Sequence, residues 1–140
     1  MSIKNFLPQR EPFLFISDEY VFEEGSIETS YHFHADHDFF KGHFPENPIV
    51  PGVILSEHCF QSAAALMGMR AGDGIKSLAV VSRIQSAKFK NMVTSNEQVK
   101  TKTILVEEMG QAAFFKSTVS NEQNKKVLII EFACTLVENA

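Results

Sequence analysis

The sequence predicts an α+β domain in which one long helix sits among a run of antiparallel strands. Three observations predict it. After Pro51-Gly52 the chain turns to Ile, Leu, Glu, Ala and Met, and no proline follows. On both sides of this stretch lie segments rich in β-branched and aromatic residues with period-two alternation. Turn signals separate those segments: Glu24-Gly25, Met109-Gly110 and the polar run Asn121-Glu122-Gln123-Asn124. One helix followed by consecutive strands is an α+β pattern rather than a parallel βαβ one.

In chain order, Met1 to Arg10 make a short turn or helix ending at Pro8. Phe13 to Glu23 reads as a strand and Ser26 to His34 as a second, the two forming a hairpin. Asp36 to Lys41 forms one helical turn. A proline loop follows, then the helix from about Val53 to Met69, broken by Ala71-Gly72-Asp73-Gly74. Lys76 to Lys90 is long enough for one bent strand. Glu97 to Glu108 alternates, with Val99, Thr101, Thr103 and Leu105 on one face. Gln111 to Ser120 and Lys125 to Val137 are the last two strands. No repeat, linker or low-complexity segment divides the chain, so residues 1–140 are expected to be a single domain.

Composition bounds the function. The 140 residues are 44% hydrophobic and include thirteen Phe, which suits a packed core or an apolar cavity. The formal net charge of −4 argues against a nucleic-acid footprint. Cys59 and Cys134 do not make a disulfide framework. The N-terminus MSIKNFLPQR lacks the apolar run of a signal peptide, and no stretch is long enough to span a membrane. A reducing cytoplasm is the expectation.

The chemistry concentrates in Gly42 to Gln61, GHFPENPIVPGVILSEHCFQ, which holds three of the five prolines and two of the seven glycines. Pro45, Pro48 and Pro51 stiffen its first half into an extended loop. In the helical half, Val53, Phe60, Ala64 and Met67 fall on one stripe together with Glu57. A carboxylate on a buried face is disfavoured as an anion, so burial raises its pKa, as a general acid requires. Gln61, one turn on, is placed to hydrogen-bond it. Taken alone, a Glu on such a stripe is ordinarily a snorkelling or core hydrogen-bonding residue. His43 lies fourteen positions before Glu57, beside the stiff loop. An imidazole ordinarily titrates near neutrality, which suits a base. The N–H groups of Gly52 and Val53 lack intrahelical partners, and Gly52 lets a ligand oxygen approach closely. They are placed to polarise a carbonyl as charge develops on it.

This segment closely resembles the active-site segment of the 3-hydroxyacyl-[acyl-carrier-protein] dehydratases of the FabZ type, whose pattern is G-H-F-P-x-x-P-x-x-P-G-V followed by a helix with Glu and, four residues on, Gln. FLPQREPFLF and SAKFK resemble the flanking family segments, so the likeness runs over nearly the whole chain. It implies the hotdog fold, a curled antiparallel sheet wrapped around one long central helix. It also implies His43 and Glu57 as the catalytic pair, meeting across the interface of a homodimer. Gly52, Val53, Gln61 and Phe44 would bind substrate. The minimal unit would be a homodimer, or a trimer of such dimers, acting on substrate carried by acyl carrier protein. Arg83, Lys88 and Lys90 would attract that acidic carrier. No cofactor or metal is expected, because the thioester itself acidifies C2.

Three departures mark the chain as divergent. Gln9 stands where the family usually has His, NMVTSNEQV replaces a proline-rich turn, and SEHCFQSAA is bulkier than the usual I-E-A-x-A-Q run. A specialised acyl pathway would fit such a member. The helix Glu, rather than Asp, resembles the branch that does not isomerise its product. His32, His34 and His37 invite a metal reading, but an exposed strand face accounts for them better. Ser56 lacks a nucleophile-elbow context, and AGDG is a helix stop rather than a phosphate loop. Two other functions compete with dehydration: a hotdog thioesterase using Glu57 as a base toward water, and a non-catalytic acyl-binding subunit.

Overall fold

The computed structural model describes residues 2–72 and 77–138. Its elements are a 3-10 turn at Ile3–Phe6, β1 Val21–Glu23, β2 Ser26–His32, α1 Phe39–Gly42, α2 Gly52–Ala71, β3 Ser77–Phe89, β4 Gln98–Met109, β5 Ala112–Ser120 and β6 Lys126–Glu138. The strands form one antiparallel six-stranded sheet in the order β1-β2-β4-β5-β6-β3. Helix α2 touches β2, β3, β4, β5 and β6, so the sheet wraps around it as the hotdog arrangement requires.

The punctuation falls where the turn chemistry places it. Gly72 caps α2 in the left-handed region at φ 79°, and its N–H reaches the Gly68 carbonyl. Asp73, Gly74 and Lys76 lie outside the described residues. Gly110 at φ 63° turns β4 into β5. The bend expected in β3 comes from two register shifts against β6, between Val81 and Arg83 and between Ile84 and Ser86. In the last turn of α2 stands Gly68, where a Cβ would collide with the Phe6 carbonyl, so the N-terminal 3-10 turn packs directly on α2.

Two expectations are corrected. Only Val21–Glu23 of the predicted strand Phe13 to Glu23 enters the sheet. Phe13 to Phe15 lies against α2 instead, where Phe15 N–H donates to Gln61 Oε1 and Phe13 O accepts from Gln61 Nε2, while Ser17 N–H donates to the Ser30 carbonyl of β2. The second concerns the helix face. Val53 is 76% exposed, and Phe60 and Met67 are only partly buried. The helix residues buried in one core with Val99, Phe115, Val119, Leu128, Ile130 and Phe132 of the sheet include Leu55, Cys59, Ala63, Ala64 and Leu66, and the partly buried Phe60 sets its ring edge-on to Phe132 at 4.9 Å. A helix enclosed on most sides has little amphipathic contrast, so a single apolar stripe misreads it. Between helix and sheet runs a buried polar seam. Thr29 bonds Ser62, His58 bonds Thr101, and Thr103 bonds Ser117. Each buried hydroxyl there has a partner; Thr103–Ser117 joins β4 to β5, and the other two pairs fix how α2 is rotated against the sheet.

The edge strand β3 is thirteen residues long and exposes Val80 and Ile84, with Phe89 at its end. No helix among the described residues is long and apolar enough to cross a membrane. Cys59 and Cys134 are both buried free thiols. Burial pushes each up to about 12, so neither is a poised nucleophile.

Candidate active site

His43 stands where α1 ends, its N–H bonded to the Phe39 carbonyl at 3.0 Å. The loop beyond is pinned at both ends. Asn47 N–H donates to Phe44 O at 2.8 Å, Ile49 bridges to Thr94, and Val50 N–H donates to Val93 O at 2.8 Å. Phe44 adopts φ 61°, a conformation that costs a non-glycine residue on the order of 1 kcal/mol. The half-buried imidazole places Nδ1 3.2 Å from the Ile49 carbonyl. A carbonyl only accepts, so in the neutral ring Nδ1 carries the proton and Nε2 keeps its lone pair. The loop thereby fixes both the ring and the tautomer that a base needs.

Glu57 lies on the first half of α2 and is half-buried. Burial raises its pKa above the ordinary carboxylate value, while a hydrogen bond from Gln61 pulls the other way. Gln61 is completely buried and its amide orientation is fixed by its surroundings. Its Oε1 accepts the Phe15 N–H at 2.8 Å, so its Nε2 must face the Phe13 carbonyl at 3.2 Å and Glu57 Oε2 at 3.1 Å. The expected one-turn Glu57–Gln61 contact is therefore present, and it is anchored from outside the helix.

Glu57 and Gln61 are brought together, but His43 and Glu57 are not bonded within one chain: the hydrogen bonds and ion pairs among the described residues include none between them. Gly52 opens α2, with Pro51 as its N-cap. What approaches Gly52 closely within the chain is the Phe89 ring, which a Cβ there would meet at 3.0 Å. Phe44, Val53, Phe89 and Met92 are all exposed and form an apolar rim on two segments that run side by side. Arg83, Lys88 and Lys90 are exposed on β3 and just beyond it. Ser56 Oγ donates to the Gly52 carbonyl, a local helix bond.

The histidine cluster resolves as aromatic packing. His32 lies 4.7 Å from His34, His37 stacks on Phe39 at 4.9 Å, and Tyr31 Oη shares a 2.8 Å hydrogen bond with His37 Nε2. Among the described residues no group of three or more His, Cys, Asp or Glu side chains is arranged to hold a metal ion. One residue of the site's surroundings, the fully buried His58, stands out in the sequence only as a bulky departure from the family's helix run. Its signal was visible: a His directly after the Glu, in a run otherwise made of small and apolar residues.

The chain is similar to known proteins over most of its length. The family model described as ApeI-like, ApeI dehydratase, matches residues 19–128. A 3-hydroxyacyl-[acyl-carrier-protein] dehydratase FabZ of Clostridium kluyveri is 33% identical over 118 residues, covering 83% of this chain and 81% of that protein. The FabZ of Chlamydia caviae is 41% identical over 92 residues, covering 64% of this chain and 60% of that protein. Among solved structures, the dehydratase heterocomplex ApeI:P from Xenorhabdus doucetiae superposes with a TM-score of 0.82 over 99% of this chain and 93% of that one, at 10% identity, which shows the shared fold. By its matched span and its FabZ relatives, the chain belongs to the ApeI-like, FabZ-type family of hotdog dehydratases.

Proposed function

We propose that the protein dehydrates a 3-hydroxyacyl thioester carried by acyl carrier protein to the trans-2-enoyl thioester, with His43 as base and Glu57 as acid. Nε2 of His43 takes a proton from C2, beside the thioester carbonyl. The C2 electron pair forms the C2–C3 double bond as the C3–O bond breaks. Glu57 delivers its proton to the departing hydroxyl, which leaves as water. The proton gained by His43 and the one lost by Glu57 balance, and exchange with solvent resets the pair. Gly52 N–H, at the positive end of α2, and Val53 N–H would hold the enolate-like oxygen. Phe44 would line the acyl path beside the base.

The single observation that carries this reading is the protonation arrangement. A half-buried carboxyl with a raised pKa is suited to give a proton. A histidine whose Nδ1 is tied to the Ile49 carbonyl is suited to take one at Nε2. A thioesterase would need Glu57 as a base toward water, and desolvation opposes the charged form that role requires.

The same reading makes the active unit a homodimer, or a trimer of dimers, with His43 of one protomer facing Glu57 of the other. Its support is the long, apolar-decorated edge β3, a row of unpaired strand groups that natural proteins ordinarily cover. The exposed rim of Phe44, Val53, Phe89 and Met92 beside the loop supports it as well. Arg83, Lys88 and Lys90 would steer the acidic carrier, and the two free thiols suit a cytoplasmic setting. Incubation with 3-hydroxyacyl carriers of graded chain length, read by mass spectrometry, tests the reading. Loss of one water supports it; release of free carrier thiol supports the thioesterase instead.

A further inference from the structure

We infer that His58 is a positioning residue for the proposed acid: it clamps the Phe13–Phe15 backbone against α2, and through that segment holds Gln61 and the Glu57 carboxyl. The inference rests on the reading of Glu57 given above. It comes from a chain of buried contacts. His58 Nδ1 lies 2.6 Å from the Phe15 carbonyl, and Nε2 lies 2.7 Å from Thr101 Oγ1. The carbonyl can only accept, so Nδ1–H donates to it, and Nε2 accepts from the Thr101 hydroxyl. Phe15 N–H donates in turn to Gln61 Oε1, so its two peptide groups are both taken by α2 side chains three residues apart. Gln61 uses its amino group to hold Phe13 O and Glu57 Oε2.

The segment Phe13 to Phe15 lies in no strand. Its place against the helix is set by these side-chain bonds rather than by a backbone ladder. Removing the Nδ1–H donor orphans the buried Phe15 carbonyl, and the segment can shift. Gln61 then loses the fixed N–H donor that holds its oxygen, and its grip on Glu57 loosens. A displacement of about 1 Å in a catalytic group can cost on the order of a hundredfold in rate. His58 touches no reacting atom in this scheme; it acts through the backbone it holds.

The test follows the Glu57 carboxyl by carbon-13 NMR titration alongside turnover, in the parent dimer and in His58→Ala, His58→Asn and His58→Gln. Asn carries an N–H near the position of Nδ1, whereas Gln reaches toward Thr101 and does not. Ala and Gln are expected to raise the Glu57 titration midpoint, since a bond favouring the anion is weakened, and to lower kcat about tenfold with KM changed less than about threefold. Asn is expected to restore both to within about twofold of the parent. In a Gln61→Ala background, His58→Ala should add nothing further, because both act along one route. Parent-like titration and turnover in His58→Gln would overturn the inference, as would a better restoration by Gln than by Asn or a full effect in the Gln61→Ala background. If His58→Ala fails to fold, the Asn and Gln pair decides. Should Glu57→Gln keep full turnover, the acid assignment falls while the titration still reports whether His58 governs that carboxyl.

Discussion

The proposed base and the proposed acid are held by different physics. His43 sits on a loop whose conformation comes from prolines and backbone bonds: Phe39 to His43, Phe44 to Asn47, Val93 to Val50. Its ring Nδ1 bonds a backbone carbonyl of the same loop. Glu57 sits on a buried helix, and what holds it is side chains reaching across 46 to 48 residues of sequence, from Gln61 to Phe15 and Phe13. The base thus depends on local chain stiffness, and the acid on the packed interior. Damage to the interior should reach the acid, while changes in the loop should reach mainly the base.

The largest expected effect comes from removing the groups themselves. Glu57→Gln and His43→Ala should each lower turnover by roughly a hundredfold to ten-thousandfold, with circular dichroism and melting temperature near those of the parent. Mixing the two inactive variants sharpens the comparison. If each site takes its base from one protomer and its acid from the other, random exchange of subunits should restore about a quarter of parent activity. Sites complete within one protomer would stay dead in every mixture.

Gln61→Ala should have a smaller but two-sided effect. It orphans the buried Phe15 N–H and weakens the hold on Glu57, so we expect a loss of roughly 1–3 kcal/mol in denaturant melts and a tenfold to hundredfold fall in kcat. Glu57 must be protonated to act, so turnover falls as pH rises through its raised pKa. The Gln61 bond lowers that pKa, and losing it should move the alkaline limb of the profile to higher pH.

His58 gives the interior an acid liability. Burial lowers its folded pKa from 6.5 to about 4, against a smaller opposing effect of the Phe15 carbonyl. Between those values the unfolded chain binds a proton that the folded chain does not. Stability is therefore full above about pH 6.5 and declines toward pH 4, by roughly 3 kcal/mol in total. Urea melts across that range should show the loss in the parent and not in His58→Asn. The smallest effect is expected in the loop: Pro48→Ala should cost less than about 1 kcal/mol, acting mainly by freeing the unfolded chain.

Much of this was legible in the sequence. The helix, the β1–β2 hairpin, the bent β3 and the turns at Gly110 and Asn121–Asn124 are written in proline, glycine and period-two alternation, which are local signals. Glu57 with Gln61 was legible too, because four-residue spacing on a helix is local. What the sequence hid was tertiary. Phe13 to Ser17 has the composition of a strand, but the backbone of Phe13 and Phe15 bonds helix side chains that no local pattern announces, while Ser17 N–H reaches the Ser30 carbonyl of β2. The stripe through Val53 misled because α2 is enclosed on most sides, and enclosure erases the contrast that periodicity reads. His58 was visible as an odd residue, yet its role needed the partners Phe15 and Thr101, each 43 residues away.

The most direct measurement is turnover of a 3-hydroxyacyl acyl carrier protein by the parent, Glu57→Gln and His43→Ala proteins, followed by mass spectrometry of the intact carrier. The account predicts that the parent converts the carrier to a species lighter by one water, and that both variants leave it unchanged over the same interval. Water loss at the parent rate in either variant would contradict it.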